Sequence, residues 1–356
     1  MVRSHYIPQF ILRNFCENDK ITYCDICKRE VSQRNTRSVF SEVGYYSEET
    51  EADLNNKIEH IFANLYHNKL ENARYTIELT PEELFTLKKY LIVASVRYRF
   101  KYTEEDKIRI ASLGKALKPE FESDIKEILN INTISEAYNY INKIDSQLDD
   151  FNKIEKIQDS DEYSIPLWSE VKDIIQSYVV FVQAPKEEEF IIPDLGRGMR
   201  QGPIANRKLF FLIDLLMQGR LDLGPLSTSI TPRDYTIFPL SKKLAVISIS
   251  SFYKLYCDLD GLYNVKLPED FPTVSEALGF GDKNLISPPH KKYTRKGDIY
   301  QYEIKKLSVK DISILNLVMI NETTDYFAFS NPCRIKNTLE IAKEKSIHNL
   351  EFIQQF

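Results

Sequence analysis

Glycine is scarce in this chain, 11 of 356 residues, which argues against a loop-dominated architecture or a Gly-rich nucleotide cradle. No apolar run approaches the roughly 18 residues that a membrane-crossing helix needs, so no membrane association is expected. The opening residues, Met1-Val2-Arg3-Ser4-His5, lack the apolar core of a secretory signal. Five cysteines, an odd number, make no disulfide framework and suit a reducing, cytoplasmic setting. Several enzyme signatures are also missing: Gly-x-Ser-x-Gly, His-Glu-x-x-His, the P-loop, the kinase set and the EF-hand loop. The formal net charge of −5 means that no global field draws the protein onto nucleic acid.

Aromatic side chains are plentiful, with 20 Phe and 21 Tyr against one Trp, and they supply ample core volume. With 43% apolar and 28% charged residues, the composition is that of an ordinary globular protein. Its length allows two cores, or one core with a large helical insertion. Local charge departs from the average. Residues 1–40 carry seven Lys or Arg against four acids, and His290-Lys291-Lys292-Tyr293-Thr294-Arg295-Lys296 is a second basic run. Such runs are more often solvated faces than binding sites.

Periodicity lays out an α+β protein: a small N-terminal β piece, a helical middle with an exposed charged insertion, and a mostly β C-terminal half. Lys20–Ile26 alternates as a strand does, and residues 36–47 give a second extended piece. Leu54, Ile58, Ile61, Phe62, Leu65 and Leu70 recur at helical spacing, predicting an amphipathic helix over about 51–73. Thr80-Pro81-Glu82-Glu83 is a capping box with Pro in the first turn, opening a helix that should reach about Phe100. Residues 104–160 read as two or three charged, exposed helices. A helix near Leu167-Trp168 gives way to a strand at 177–182. Further strands are expected at 190–192, 235–238, 244–249 and 326–330, a helix at 307–320, and a helical tail through 339–345. Gly196–Pro203 reads as a flexible loop. The expected divisions are 1–103, a lid or insertion at 104–166, and 167–356 completing the same core.

Residues 4–15, Ser-His-Tyr-Ile-Pro-Gln-Phe-Ile-Leu-Arg-Asn-Phe, carry more chemistry than folding needs. Pro8 suits the start of a helix because it has no N–H to leave unpaired. Phe10, Ile11 and Phe15 can then point one way while His5 lies just ahead of the helix. A histidine there can titrate near neutrality, bind metal or hold phosphate. This stretch resembles the opening of an uncharacterised bacterial domain-of-unknown-function family that begins His-Tyr-x-Pro-x-x-x-Leu-x-x-Phe. The matching residues are His5, Tyr6, Pro8, Leu12 and Phe15, with Gln9, Arg13 and Asn14 also in keeping. Weaker echoes are Gly44-Tyr45-Tyr46, Lys57-Ile58-Glu59, Arg97 and Phe238-Pro239-Leu240-Ser241. Where the family pattern has Asp-Asn-Pro after a strand, this chain has Asp194-Leu195-Gly196. The resemblance implies an accessory bacterial protein of mobile-element or phage-defence neighbourhoods, and no assigned reaction.

Three groupings could carry chemistry. In the first, a helical hairpin sets Glu59 beside Arg97 and turns the pair toward His5 and Arg13. With Asp194, that is an inventory for phosphodiester cleavage. His5 would move a proton or bind metal, Glu59 and Asp194 would act as carboxylates, and Arg97 would neutralise phosphate. Gln9, Arg13, Arg197 and Arg200 would bind substrate, and a divalent metal of unknown identity is compatible with the set. The bland alternative is a structural Glu59–Arg97 pair and a core or capping His5. In the second, Cys24-Asp25-Ile26-Cys27 has the gap of a zinc knuckle, but only Cys16 stands near as a further cysteine, so buried strand cysteines are the plainer reading. In the third, Asp194, Arg197, Arg200, Gln201 and Arg207 could grip an anion. The functional expectation is a nuclease acting on nucleic acid or another phosphate-containing ligand. The alternative is a non-enzymatic sensor module binding a protein partner. A weaker option is a nucleic-acid binder using the basic runs with Tyr293, Tyr300 and Tyr302 as stacking residues.

Overall fold

The computed structural model describes residues 3–45, 47–97, 174–175, 177–201, 233–249, 297–345, 347 and 350–355. The charged insertion at 104–166, the helix near 167, Arg207 and the basic run at 290–296 lie outside the described residues. The fold is α+β, and the described strands gather into three sheets.

The chain opens with β1 (Arg3–His5), whose antiparallel partner is β4 (Ser41–Val43), with His5 opposite Ser41. Between them stand α1 (Gln9–Arg13), β2 (Ile21–Asp25) and β3 (Glu30–Arg34). Pro8 immediately precedes α1, as its fixed φ favours, and Ile11, Leu12 and Phe15 are buried on one side. Gly44 follows β4 with a φ of 74°, a left-handed turn that a side chain would strain.

Ser47 then caps a long helical rod by accepting from the Thr50 N–H. The rod comprises α2 (Glu48–Leu54), a π turn (Asn55–Glu59), α3 (His60–Leu65) and a second π turn (Tyr66–Leu70). Each π turn absorbs an extra residue, about 100° of rotation, and so corrects the drift of a row spaced by four on a 3.6-residue helix. The row Leu54, Ile58, Phe62, Tyr66, Leu70 therefore stays on one buried face. Ile61, which an uninterrupted α-helix would align with Leu54, is rotated outward and is 48% exposed. The expected core position of Ile61 is corrected for that reason.

After β5 (Thr76–Leu79) comes α4 (Pro81–Val96), opened by the capping box read from the sequence. Thr80 Oγ1 accepts from the Glu83 N–H at 3.2 Å, and Glu83 Oε2 accepts from the Thr80 N–H at 2.8 Å. The C-terminal strands are β6 (Tyr178–Gln183), β7 (Ile192–Pro193), β8 (Gly198–Gln201), β9 (Arg233–Pro239), β10 (Leu244–Ile249), β11 (Tyr300–Lys306) and β12 (Tyr326–Phe329). A six-stranded sheet runs β5-β11-β6-β10-β9-β8, with β11 and β6 parallel, and a four-stranded sheet runs β3-β2-β12-β7. Both thus join strands from the two ends of the chain. The helices α5 (Val309–Glu322) and α6 (Lys336–Glu344) complete the described α-helices, and α5 packs on β7 and β8.

The segment expected as a loop at 196–203 is an edge strand over Gly198–Gln201. Gly198 is there for close approach. A Cβ on it would stand 2.4 Å from Met319 Cγ and 2.9 Å from Met319 Cα.

Candidate functional site

Beside α1 and the helical rod lies a solvent-open cavity of about 600 Å³. His5, Gln9, Phe10 and Arg13 line one side of it. Glu48, Glu51, Asn55, Glu59, His60 and Ala63 line the other. Gln9 and Arg13 share a face of α1 because they stand four residues apart, and Arg13 Nη2 donates to Gln9 Oε1 at 3.4 Å. Phe10 packs its ring edge-on to Phe62 at 6.0 Å and also meets Tyr90 at 6.1 Å. Phe62 and Tyr90 stack at 3.9 Å, so the wall is backed by an aromatic cluster shared by α1, α3 and α4.

The first π turn makes the opposite wall. On an uninterrupted α-helix Glu59 would stand about 80° around the rod from Glu51, whereas the absorbed residue brings the two within about 20°. Glu51, Asn55, Glu59 and Ala63 thereby form one row facing the cavity, beside the buried Leu54–Leu70 row. Neither Glu48, Glu51 nor Asn55 stood out in the sequence as a site residue. The signal available was a polar or small side chain every fourth residue, in step with an apolar row of the same spacing.

Glu59 Oε1 and Arg97 Nη1 form an ion pair at 2.5 Å, with side-chain exposures of 15% and 3%. The expected pairing is present, and it sits next to His5: Arg97 and Glu59 both act electrostatically on the imidazole. His5 is buried as a residue yet contributes to the cavity lining. Burial pushes its pKa below the usual value. Hydrogen bonding to the Thr36 and Arg37 backbones opposes that shift, as does Glu59, while Arg97 reinforces it. The net shift favours the neutral imidazole. Gln9 Nε2 lies 3.4 Å from each ring nitrogen.

Glu51 behaves in the opposite sense. Burial raises its pKa, Arg97 opposes the rise, Glu59 adds to it, and a backbone hydrogen bond from His5 opposes it. One carboxylate oxygen, Oε2, is buried with no hydrogen-bond partner. A neutral carboxyl tolerates that position better than an anion does. Glu59 is answered by Arg97, burial biases Glu51 toward the neutral acid, and Glu48 and Arg13 are exposed at the mouth.

Asp194 is placed elsewhere. It is fully buried and accepts from the backbone N–H groups of Thr324, Asp325 and Tyr326, at 2.7 Å in the case of Asp325. There it fixes the turn into β12, and it does not line the cavity. Arg197 Nε donates to the Ser95 carbonyl at 3.2 Å, near the C-terminal end of α4, and Arg200 belongs to β8; neither lines the cavity. Tyr302 is a core residue set edge-on to Phe181 at 5.4 Å, so it offers no stacking platform. Cys24 is fully buried in β2 while Cys27 is exposed, its Sγ 3.6 Å from Asp325 Oδ1, so the two do not face a common point. Among the described residues, no three His, Cys, Asp or Glu side chains are grouped to hold a metal ion. No described helix is long and apolar enough to cross a membrane.

The chain matches the model of a family described as "Protein of unknown function (DUF4238)" over residues 3–324, and it belongs to that family. No curated protein and no solved structure matches it.

Proposed function

We propose that this DUF4238 protein is a phosphodiester-cleaving enzyme acting on nucleic acid in the cytoplasm, an accessory antiviral-defence nuclease in its bacterial host. The observation that carries this reading is the meeting of His5 with the Glu59–Arg97 pair at a cavity whose volume suits a nucleotide unit. A neutral imidazole can take a proton from an attacking hydroxyl. Arg13, exposed at the rim, can hold a non-bridging phosphate oxygen, and Gln9 orients the ring. Arg97 and Glu59 act as positioning residues that set the charge around His5. Because the formal net charge is −5, affinity for a polyanion comes from local contacts rather than from the overall field.

The test compares wild type with His5→Ala and Arg13→Ala on single-stranded and duplex RNA and DNA, with thermal melting run alongside. The reading requires His5→Ala to lose at least about 100-fold in turnover, the scale of a single proton-transfer group, while remaining folded. Equal turnover in a folded His5→Ala protein removes it.

The same cavity supports a second reading, a non-enzymatic sensor that binds a protein partner. The hydrogen bonding of the His5 ring to the 36–37 backbone favours it, because such a ring also fastens β1 to its neighbours. On that reading His5→Ala lowers the melting temperature, and no substrate turns over.

A further inference from the structure

We infer that the substrate is RNA, cleaved through its own 2′-hydroxyl, with His5 as the general base and Glu51 as the general acid. This rests on the phosphodiesterase reading and deepens it. Both side chains line one cavity, and they approach it from different elements: His5 from the end of β1, Glu51 from the first two turns of α2. The His5 backbone also hydrogen-bonds the Glu51 carboxyl, so the two are fixed relative to each other. Glu51 Oε2 is buried without a hydrogen-bond partner, and the cost of burying an anion there outweighs the support from Arg97 and the His5 backbone. Burial of the carboxyl favours the protonated form, and burial of the imidazole favours the neutral form. Burial thus acts on the two groups in opposite senses, raising the acid and lowering the base, and so favours the protonated carboxyl and neutral imidazole that this acid–base pair needs.

An acid and a base suffice only when the substrate brings its own nucleophile. RNA does, because the 2′-hydroxyl adjoins the phosphate it attacks, and this group also separates RNA from DNA. In the proposed step the His5 ring nitrogen takes the 2′-hydroxyl proton, and the 2′-oxygen forms a bond to phosphorus. The bond from phosphorus to the 5′-oxygen breaks, and that oxygen takes the proton from Glu51. The products are a 2′,3′-cyclic phosphate and a free 5′-hydroxyl. The enzyme is left with protonated His5 and ionised Glu51, and a proton returned from one to the other through water restores the starting state. Arg13 at the rim is placed to hold the phosphate, and Glu59 restrains Arg97, whose charge acts on both groups.

The experiment uses the full chain, a mixed-sequence oligoribonucleotide, the same oligomer with a single 2′-deoxy residue at the cleaved position, and the all-DNA version. A uridine 3′-(4-nitrophenyl) phosphate, whose leaving group needs no proton, completes the set. The inference predicts cleavage of RNA to cyclic-phosphate ends and blockage at the 2′-deoxy position. Glu51→Gln should lose about 100- to 1000-fold on RNA but at most a few-fold on the nitrophenyl ester, because only a general acid is bypassed by a good leaving group. A Glu51→Gln deficit of equal size on both substrates overturns the acid role. Cleavage of DNA or of the 2′-deoxy oligomer at an undiminished, His5-dependent rate overturns the RNA assignment and leaves the phosphodiesterase reading standing. Absence of turnover on every substrate by folded wild type overturns both.

Discussion

Replacing Glu59 by Gln leaves the Arg97 guanidinium, 3% exposed, without its carboxylate at 2.5 Å. Removing one partner of a buried pair costs about 3–5 kcal/mol, because the remaining charge stays out of water uncompensated. Glu59 is itself 15% exposed, and Glu51 also feels Arg97, so the lower end, about 3 kcal/mol, is expected. Arg97→Met strands Glu59 beside Glu51 and should cost a similar amount. The double variant removes both charges together. It should fall short of the summed single costs by about 2 kcal/mol, a coupling of the size found for groups in direct contact. The assay is urea unfolding of all four proteins at pH 7.5 in low salt, with equal slopes as the condition for comparison. Removing Arg97 also lifts a repulsion from His5, so the imidazole pKa in Arg97→Met rises toward its usual value. Additive costs, or an unchanged His5 titration, would refute the claim that this pair governs the cavity's electrostatics.

Other consequences concern groups buried elsewhere in the fold as well as Glu51. Glu51→Gln should be as stable as wild type or more so at pH 7.5. The folded pKa of this carboxyl lies above the unfolded value, so wild type loses stability as pH rises through the folded pKa, and a neutral amide does not. Thermal melts at pH 5 and 7.5 check this, and a large loss at pH 7.5 would count against a strained carboxyl. Lys88 is buried, donates to the Ser177 carbonyl at 2.8 Å, and has its pKa pushed down to about 7 by desolvation. Between about pH 7 and 10 the unfolded chain keeps a proton on this lysine that the folded protein releases, so stability rises with pH there. Lys88→Met should flatten that rise in denaturant midpoints measured at pH 7 and 9.5, and an identical slope in both proteins would contradict it. Gly198→Ala should cost about 1–3 kcal/mol by forcing β8 away from Met319 on α5, and a neutral result would mean that the strand yields freely.

How much of this was legible in the sequence depends on how local each signal is. The Thr80–Glu83 capping box announced α4 because its chemistry is complete within four residues. The apolar run at 244–249 marked β10 because a strand buried on both faces needs nothing from elsewhere to be read. Ile61 misled because the pattern was referred to a 3.6-residue period, and the π turns that rotate it outward carry no familiar residue signature. The 196–203 stretch looked like a loop because its glycines were read as flexibility, whereas Gly198 answers to Met319, which lies far along the chain. His5, Glu59 and Arg97 were found by residue type and resemblance, and helix pairing alone suggested their meeting. Asp194 has suitable chemistry for a site, but three backbone amides from 324–326 consume it, and no pattern around residue 194 reveals those partners. Glu51 was overlooked because its buried oxygen is a property of the folded surroundings and not of its neighbours in sequence.

The most direct measurement is the titration of the five histidines by NMR, with His5 assigned through His5→Gln, in the absence and presence of a non-cleavable 2′-fluoro dinucleoside phosphate. The account predicts that free His5 titrates below its ordinary value, and that the ligand shifts its ring signals more than those of His67, which sits away from the cavity beside Glu71. A His5 that titrates normally and does not respond to saturating ligand would contradict the claim that this cavity receives a phosphodiester.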